Sequence, residues 1–256
     1  MIASQLFDLS GDVALVTGAS GGLGARFAAV LAANGAKVAL VARRRGALDA
    51  QVEAIRARGG EALAVEADVT DRAALARAFD AAQEAFGVVT ILVNNAGIAP
   101  AARLTDETPE SWTRVMALNL DAALFASQEL AARLATPGRP GAIVNIASIL
   151  GFGVQKGVGA YATSKAALLQ LTKALALELA PKRIRVNALC PGYIATDINR
   201  DWLASPAGQA MLPAIPMRRF GEDSDLDGPL LLLASRAGGF MTGSALVADG
   251  GQLAPL

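Results

Sequence analysis

Seven short apolar runs punctuate the chain, at 13–17, 37–42, 62–66, 91–94, 142–147, 185–189 and 245–248. They are rich in Val, Ile and Leu with little polar alternation, which predicts parallel strands buried on both faces. Longer stretches with apolar positions at helical spacing lie between them, at 24–34, 48–58, 72–86, 110–135 and 161–179. Their ends carry suitable start and stop residues. Asn34-Gly35 closes the first, Asp68-Val69-Thr70-Asp71 can cap the third, and Pro109 precedes the fourth. Strict strand–helix alternation implies right-handed crossovers. The expected fold is α/β: a Rossmann-type, doubly wound, seven-stranded parallel sheet with helices on both faces. No linker, repeat or low-complexity segment interrupts it, so residues 1–256 read as a single domain.

The stretch 197–221 breaks the alternation and holds Trp202, Pro206, Met211, Pro213, Pro216 and Met217. It follows the C-terminal end of a strand, where such sheets bind ligands. A lid over the site and a static surface excursion both fit this pattern.

Composition narrows the chemistry. With 53% hydrophobic and 18% charged residues, disorder is excluded as a general description. The 23 basic side chains balance 23 acidic ones, which argues against a nucleic-acid binder. A mean hydropathy of +0.40 suits a doubly covered sheet or a large subunit interface. The chain has no histidine and one cysteine, Cys190. It therefore holds no His/Cys zinc site, no Ser-His-Asp or Cys-His machinery, and no intrachain disulfide. The first twelve residues carry Asp8 and Asp12 and no basic-then-apolar leader pattern. The longest uncharged stretch, 140–155, is broken by Asn145, Ser148 and glycines, so it does not read as a membrane span. The expectation is a cytoplasmic protein with neither membrane nor nucleic acid as partner.

The first strand runs directly into Gly18-Ala-Ser20-Gly21-Gly22-Leu23-Gly24, followed by a helical pattern. Glycines there allow a tight turn and let backbone amides approach a pyrophosphate, while the helix N-terminus adds partial positive charge. An ordinary glycine-containing strand–helix junction is the bland alternative. No Gly-Lys-Ser/Thr follows, which removes the P-loop NTPases. Roughly 20 residues further on, a dinucleotide site reads the adenosine ribose. Here the second strand ends in Arg43-Arg44-Arg45 with no acid until Asp49. A guanidinium can hold a 2′-phosphate bidentately, which favours NADP(H) over NAD; a solvated arginine cluster is the alternative.

Further motifs follow at strand ends: Asp68-Val69, Asn94-Asn95-Ala96-Gly97, Ser148, Tyr161-Ala-Thr-Ser-Lys165 and Pro191-Gly192-Tyr193-Ile194-Ala-Thr196. Ser148 precedes Tyr161 by 13 positions and Tyr161 precedes Lys165 by four, with Asn119 in the helix before Ser148. With these motifs in this order, the chain resembles the short-chain dehydrogenase/reductase family over nearly its full length. That resemblance implies that Tyr161 protonates a carbonyl oxygen while Ser148 orients it. Lys165 would bind the nicotinamide ribose and lower the Tyr161 pKa, and Asn119 would hold a water in the proton relay. The resemblance also places Asp68 and Val69 at adenine and Asn95, with Ala96 and Gly97, beside the cofactor ribose. Ile194 and Thr196, beyond Pro191-Gly192, would meet the carboxamide. Helix caps for Asp68 and Thr196 and a turn for Asn95 are the structural alternatives.

The chemistry of the pair can be weighed without the family. Tyr161 and Lys165 share a helix face. A free phenol titrates near 10, too high for a proton relay at neutral pH. An ammonium about 4 Å away would favour the phenolate by up to ~4 kcal/mol at an effective dielectric of 20, or roughly three pKa units. The expectation is a Tyr161 pKa brought towards neutrality, matched to general acid–base work.

The segment between Ser148 and Tyr161 offers Leu150, Phe152, Val154, Gln155 and Val158. With Tyr193, Trp202, Met211 and Leu212 it predicts a largely hydrophobic pocket for a ketone or secondary alcohol. Reduction of a 3-oxoacyl group on an acyl carrier protein is an alternative. It would need a basic docking patch, to which Arg103, Arg114, Arg133 and Arg139 are candidate contributors. A sugar or polyol dehydrogenase is a third reading, and a catalytically silent NADP-binding regulator the non-enzyme one. Long Ala/Leu stretches in 110–135 and 161–179 suit burial against another subunit. The family resemblance implies a homotetramer, with Met241-Thr-Gly and Asp249-Gly-Gly-Gln252 near the C-terminal contact.

Overall fold

The computed structural model describes residues 2–136, 138–196 and 200–254. Its strands are β1 Val13–Thr17, β2 Lys37–Ala42, β3 Glu61–Glu66, β4 Ile91–Asn94, β5 Gly141–Ile146, β6 Ile184–Pro191 and β7 Ala245–Ala248. Its helices are α1 Ala3–Leu6, α2 Gly22–Ala33, α3 Arg45–Arg56, α4 Arg72–Phe86, α5 Pro109–Met116 and α6 Ala122–Ala135. They continue with α7 Gly159–Leu179, α8 Arg200–Ala204, α9 Pro206–Gln209 and α10 Asp227–Ala234. All the strands pair in parallel, in the order β3-β2-β1-β4-β5-β6-β7. The doubly wound seven-stranded sheet expected from the apolar runs is therefore the fold.

Burial explains why those runs do not alternate. Every residue of β1 and of β4 is buried, because each face of the sheet is covered. One layer packs α2, α3 and α10 through Phe27, Leu31, Leu48, Val52 and Leu230. The other packs α4, α6 and α7 through Leu75, Phe79, Leu130, Leu175 and Leu179. At about 25 cal/mol per Å² of apolar surface removed from water, these two layers are the dominant stabilising term.

Three differences from the sequence reading have physical causes. The stretch 110–135 is not one helix, because a π-helical turn at Ala117–Asp121 separates α5 from α6. Pro109 is the first residue of α5 and not merely its predecessor, with Thr108 capping Ser111 N–H at 3.2 Å. A lone proline suits that position, where its missing N–H costs nothing. Helix α10 lies between the 197–221 excursion and β7, where the sequence reading assigned no element, and is held by Arg26 of α2, whose Nε donates to Asp227 at 2.9 Å. Its Leu230–Leu233 run was the available signal.

The chain reverses direction across the sheet between β1 and β4. Crevices form at such a switch point, outside the C-terminal ends of the strands. Gly18, Asn95, Ser148 and Gly192 follow β1, β4, β5 and β6 at that end. No helix among the described residues is long and apolar enough to cross a membrane.

Candidate active site

At two positions of the loop after β1 the structure admits no side chain. A Cβ on Gly18, whose φ is +67°, would stand 2.9 Å from both Ala96 Cα and Asn95 Nδ2. One on Gly24 would lie 2.3 Å from the Gly18 carbonyl oxygen. The loop is thus pressed against the end of β4, leaving backbone at the mouth of α2. Asn95 is the brace, since its Nδ2 donates to Thr17 O at 3.0 Å and to Gly18 O at 3.3 Å. Thr17 completes the joint by accepting the N–H groups of Asn95 and Ala96, both at 3.0 Å. Sequence reasoning passed over Thr17, because a threonine ending a strand carries no signal of such contacts. Leu23 packs on the core beneath the loop.

The arginines after β2 take separate roles. Arg44 Nη2 donates to Ser20 Oγ at 3.0 Å, placing its guanidinium over the glycine loop near Gly21. Arg43 lies 4.0 Å from Asp68, and Arg45 is occupied by Asp49 at 2.8 Å. Asp68 does not cap α4. Its carboxylate accepts Thr70 Oγ1 at 2.7 Å and Thr70 N at 3.0 Å, which hold its pKa below the usual value. Asp71 is the cap, accepting from Ala73 N and Ala74 N. Val69 is buried behind Asp68. A dinucleotide fits what is present: a glycine-rich loop at the N-terminus of a helix, with a cation at its rim.

Ser148, just beyond the end of β5, accepts Leu150 N–H at 3.1 Å and lies close enough to the Tyr161 phenol to lower its pKa. Lys165 lies one turn beyond Tyr161 on α7, with Nζ 5.6 Å from the ring centre. The ammonium is not directed at the phenol; it donates to Ile146 O at 2.6 Å. Burial brings Lys165 down to about 8. The expected drop of Tyr161 towards neutrality is not found. Burial raises its pKa above the usual phenol value and outweighs the lowering by Ser148. Desolvation disfavours the phenolate more than one misdirected ammonium can favour it.

Asn119 is buried inside the π turn, and its side chain is committed to protein. Oδ1 accepts Ile98 N–H at 2.9 Å, while Nδ2 donates to Ile98 O at 2.9 Å and to Ser164 Oγ at 3.0 Å. Ser164 in turn donates to Tyr161 O at 2.7 Å. Asn119 thereby ties the π turn to the first turns of α7. A π turn displaces one backbone group from the helical ladder, which is how this side chain comes to face inward.

Beyond β6, Gly192 N donates to Ala248 O at 3.0 Å, and a Cβ on Gly192 would meet Asp249 at 2.7 Å. Ile194 is buried and pairs with Gly221 across the base of the 197–221 excursion; Thr196 is half-buried. Residues 197–199 lie outside the described residues. Of the proposed pocket wall, Leu150, Gln155 and Val158 are partly buried, whereas Val154 is 89% exposed and encloses nothing. Phe152 and Trp202 are also open to solvent. Tyr193 reaches Gln155 through its hydroxyl and stacks on Trp202, ring centres 6.2 Å apart. A groove of about 680 Å³ opens at the opposite, N-terminal end of the strands and contains none of these residues. Its most buried cation, Arg185, is spent on the carbonyls of Leu233, Ala234, Ser235 and Gly238. No cluster of metal-binding side chains occurs among the described residues.

Known proteins place this geometry. A family model described as enoyl-(acyl carrier protein) reductase matches residues 18–252. L-rhamnose 1-dehydrogenase (NAD(P)(+)) of Azotobacter vinelandii is 40% identical, over 93% of this chain and 94% of the relative. A short-chain type dehydrogenase/reductase from Mycobacterium marinum superposes with a TM-score of 0.92 at 39% identity, covering 100% of both chains. An Agrobacterium tumefaciens structure with bound NADP, proposed to be a 2-deoxy-D-gluconate 3-dehydrogenase, has a TM-score of 0.90. It is 42% identical over 97% of this chain and 98% of that one. The fold, the glycine loop and the Ser148–Tyr161–Lys165 cluster thus converge with these likenesses: the chain belongs to the short-chain dehydrogenase/reductase family of NAD(P)-dependent oxidoreductases of alcohols.

Proposed function

We propose that the protein is an NADP(H)-dependent oxidoreductase interconverting secondary alcohols and ketones, with Tyr161 as general acid and base. The observation that carries this reading is the grouping of Ser148 with the Tyr161 phenol and, one helical turn on, the buried Lys165, at the same strand ends as the glycine loop. When bound, the dinucleotide supplies or takes up the hydride. Tyr161, kept protonated at neutral pH by its burial, gives its proton to the carbonyl oxygen in reduction. Ser148 shares that oxygen, oriented by Leu150 N–H. Lys165, with a pKa of about 8, trades a proton with its surroundings in the neutral range. Asn119 acts through its side chain as a brace of α7, so any relay water falls to its main chain. Oxidation of NADPH by a panel of aryl ketones, diketones, sugars and 3-oxoacyl thioesters, followed at 340 nm, tests the reading. Binding of NADPH with no turnover of any class would favour a silent regulator.

Preference for NADP(H) rests on Arg44 over Ser20 and on the absence of an acid before Asp49. Hydrogen bonds to a charged partner contribute about 1.5–3 kcal/mol, or roughly ten- to a hundredfold in affinity. Arg44→Ala is expected to raise KM for NADPH by that factor and leave KM for NADH nearly unchanged. Equal losses with both nucleotides, or a wild type that prefers NADH, would refute the assignment.

The acyl-carrier-protein reading is weakened by where its arginines lie. Arg133 pairs with Asp80 at 2.7 Å and with Glu129, and Arg139 donates to Gly11 O at the far end of the sheet. Arg103 and Arg114 are exposed. We further propose a homotetramer, because Leu177 of α7 and Phe240 leave large apolar side chains bare to solvent. Light scattering at micromolar concentration should then give a mass near four times 26.1 kDa; a monomer mass would overturn this.

A further inference from the structure

Tyr193 joins three parts of the molecule. Its hydroxyl donates to Gln155 Oε1, on the loop between Ser148 and Tyr161. Its ring lies between Trp202 from the start of the 197–221 excursion and Phe220 from its end, at 6.2 and 6.4 Å. Its carbonyl accepts Gly221 N–H at 2.9 Å, and Ala195 N–H donates to Gly221 O at 2.8 Å, so the excursion closes on this one residue. Burial raises the Tyr193 pKa and keeps the hydroxyl protonated. Tyr193 is also close enough to Tyr161 to influence its titration.

Gln155 is fixed from both sides. The Ala102–Val158 bridge and the Ala102 N–H bond to Gly157 O at 2.8 Å anchor the loop just beyond it. A carboxamide offers one acceptor oxygen and two N–H donors. With Oε1 accepting the Tyr193 hydroxyl, the side chain is oriented, and among the described residues its Nε2 has no partner. Two oriented, unspent donors at the rim of an otherwise apolar wall are costly to desolvate unless a ligand oxygen meets them.

We propose that Gln155 determines substrate specificity: its Nε2–H groups bind a second oxygen, on the carbon next to the one oxidised, and Tyr193 positions it. The substrate class is then a vicinal diol or its α-hydroxyketone, not an isolated secondary alcohol. This deepens the alcohol–ketone reading and rests on it. It also shifts the weight within the largely hydrophobic pocket expected from the sequence, since the apolar side chains Phe152 and Val154 are largely turned to solvent while Gln155 is partly buried. A neutral donor suits a hydroxyl better than a carboxylate, for which a guanidinium gives the stronger bond.

The matched pair cis-1,2-cyclohexanediol and cyclohexanol, oxidised with NADP+, tests this. The wild type is expected to show a higher kcat/KM for the diol. Gln155→Leu should lower kcat/KM for the diol at least tenfold more than for cyclohexanol. Tyr193→Phe keeps the ring stack and removes the hydroxyl. It should shift the ratio in the same direction by a smaller factor, through KM for the diol and not through kcat. If the ratio moves less than twofold in both variants, or the wild type treats the two alcohols alike, the assignment of Gln155 is overturned while the alcohol–ketone reading stands. If the wild type oxidises neither alcohol, both fall.

Discussion

Tyr161→Phe is expected to lower kcat for ketone reduction by about 10³-fold or more, while NADPH binding changes by less than about threefold. General acid catalysis contributes roughly 10²–10⁴-fold, and 10³ corresponds to about 4 kcal/mol of barrier. Among the described residues no histidine, accessible thiol or second unengaged phenol stands ready to replace the Tyr161 hydroxyl. The chain has no histidine, its one cysteine is buried and pushed up to about 12, and Tyr193 is held by Gln155. The substitution removes one oxygen from a ring that keeps its packing on α7, so a folding defect is not expected to obscure the result. Steady-state kinetics at 340 nm gives kcat, and quenching of protein fluorescence gives the NADPH affinity. A variant retaining a tenth of wild-type kcat would show that the proton comes from elsewhere.

Lys165→Met is expected to make the unliganded protein more stable at pH 7 and a much poorer catalyst. Burial lowers Lys165 from 10.5 to about 8, so at pH 7 the folded state carries a buried ammonium it would rather lose. A shift of that size amounts to ~3 kcal/mol at 1.36 kcal/mol per unit. Losing the hydrogen bond to Ile146 O returns about 1 kcal/mol, which leaves a net gain of about 2 kcal/mol. The sign follows from proton counts: between pH 8 and 10.5 the unfolded chain binds more protons at this lysine, so stability rises with pH there. Cys190 opposes it above its ordinary value of 9.0, because its folded pKa of about 12 means the unfolded chain releases that proton first. Wild-type stability should therefore climb between about pH 8 and 9 and then level off. In Lys165→Met the climb disappears. Urea melts of the apoprotein at pH 7 and 9 read both effects, and a variant less stable than wild type at pH 7 would contradict the argument. A stability cost located at the site is the usual price of a functional buried charge.

Much of this molecule is written in its local pattern. Apolar runs without alternation suit strands covered on both faces, so β1, β2 and β4 were legible to the residue; β7 was too, although as an edge strand it leaves Ala245 and Val247 exposed. The Gly18–Gly24 loop was equally legible, since glycine at a strand–helix junction has a steric reason wherever it occurs. Tyr161 and Lys165 needed only the helical repeat to share a face.

What remained hidden depends on contacts between segments distant in sequence. The direction of the Lys165 ammonium is set by Ile146 O, 19 positions away, and the rise of the Tyr161 pKa by the burial of α7 against its neighbours. Neither follows from spacing on one helix, which is why a favourable charge pair was expected where desolvation prevails. The inward turn of Asn119 required a π bulge whose sequence, Ala-Leu-Asn-Leu-Asp, reads as ordinary helix. The joining of Gln155 to Tyr193 spans 38 residues and exists only because β5 and β6 are neighbours in the sheet. Local sequence therefore places the strands to within a few residues, orders the motifs and lists the kinds of chemistry on offer. Only the tertiary structure decided protonation, orientation and which donors were left for a ligand, because these depend on solvent exclusion and on partners brought together by the fold.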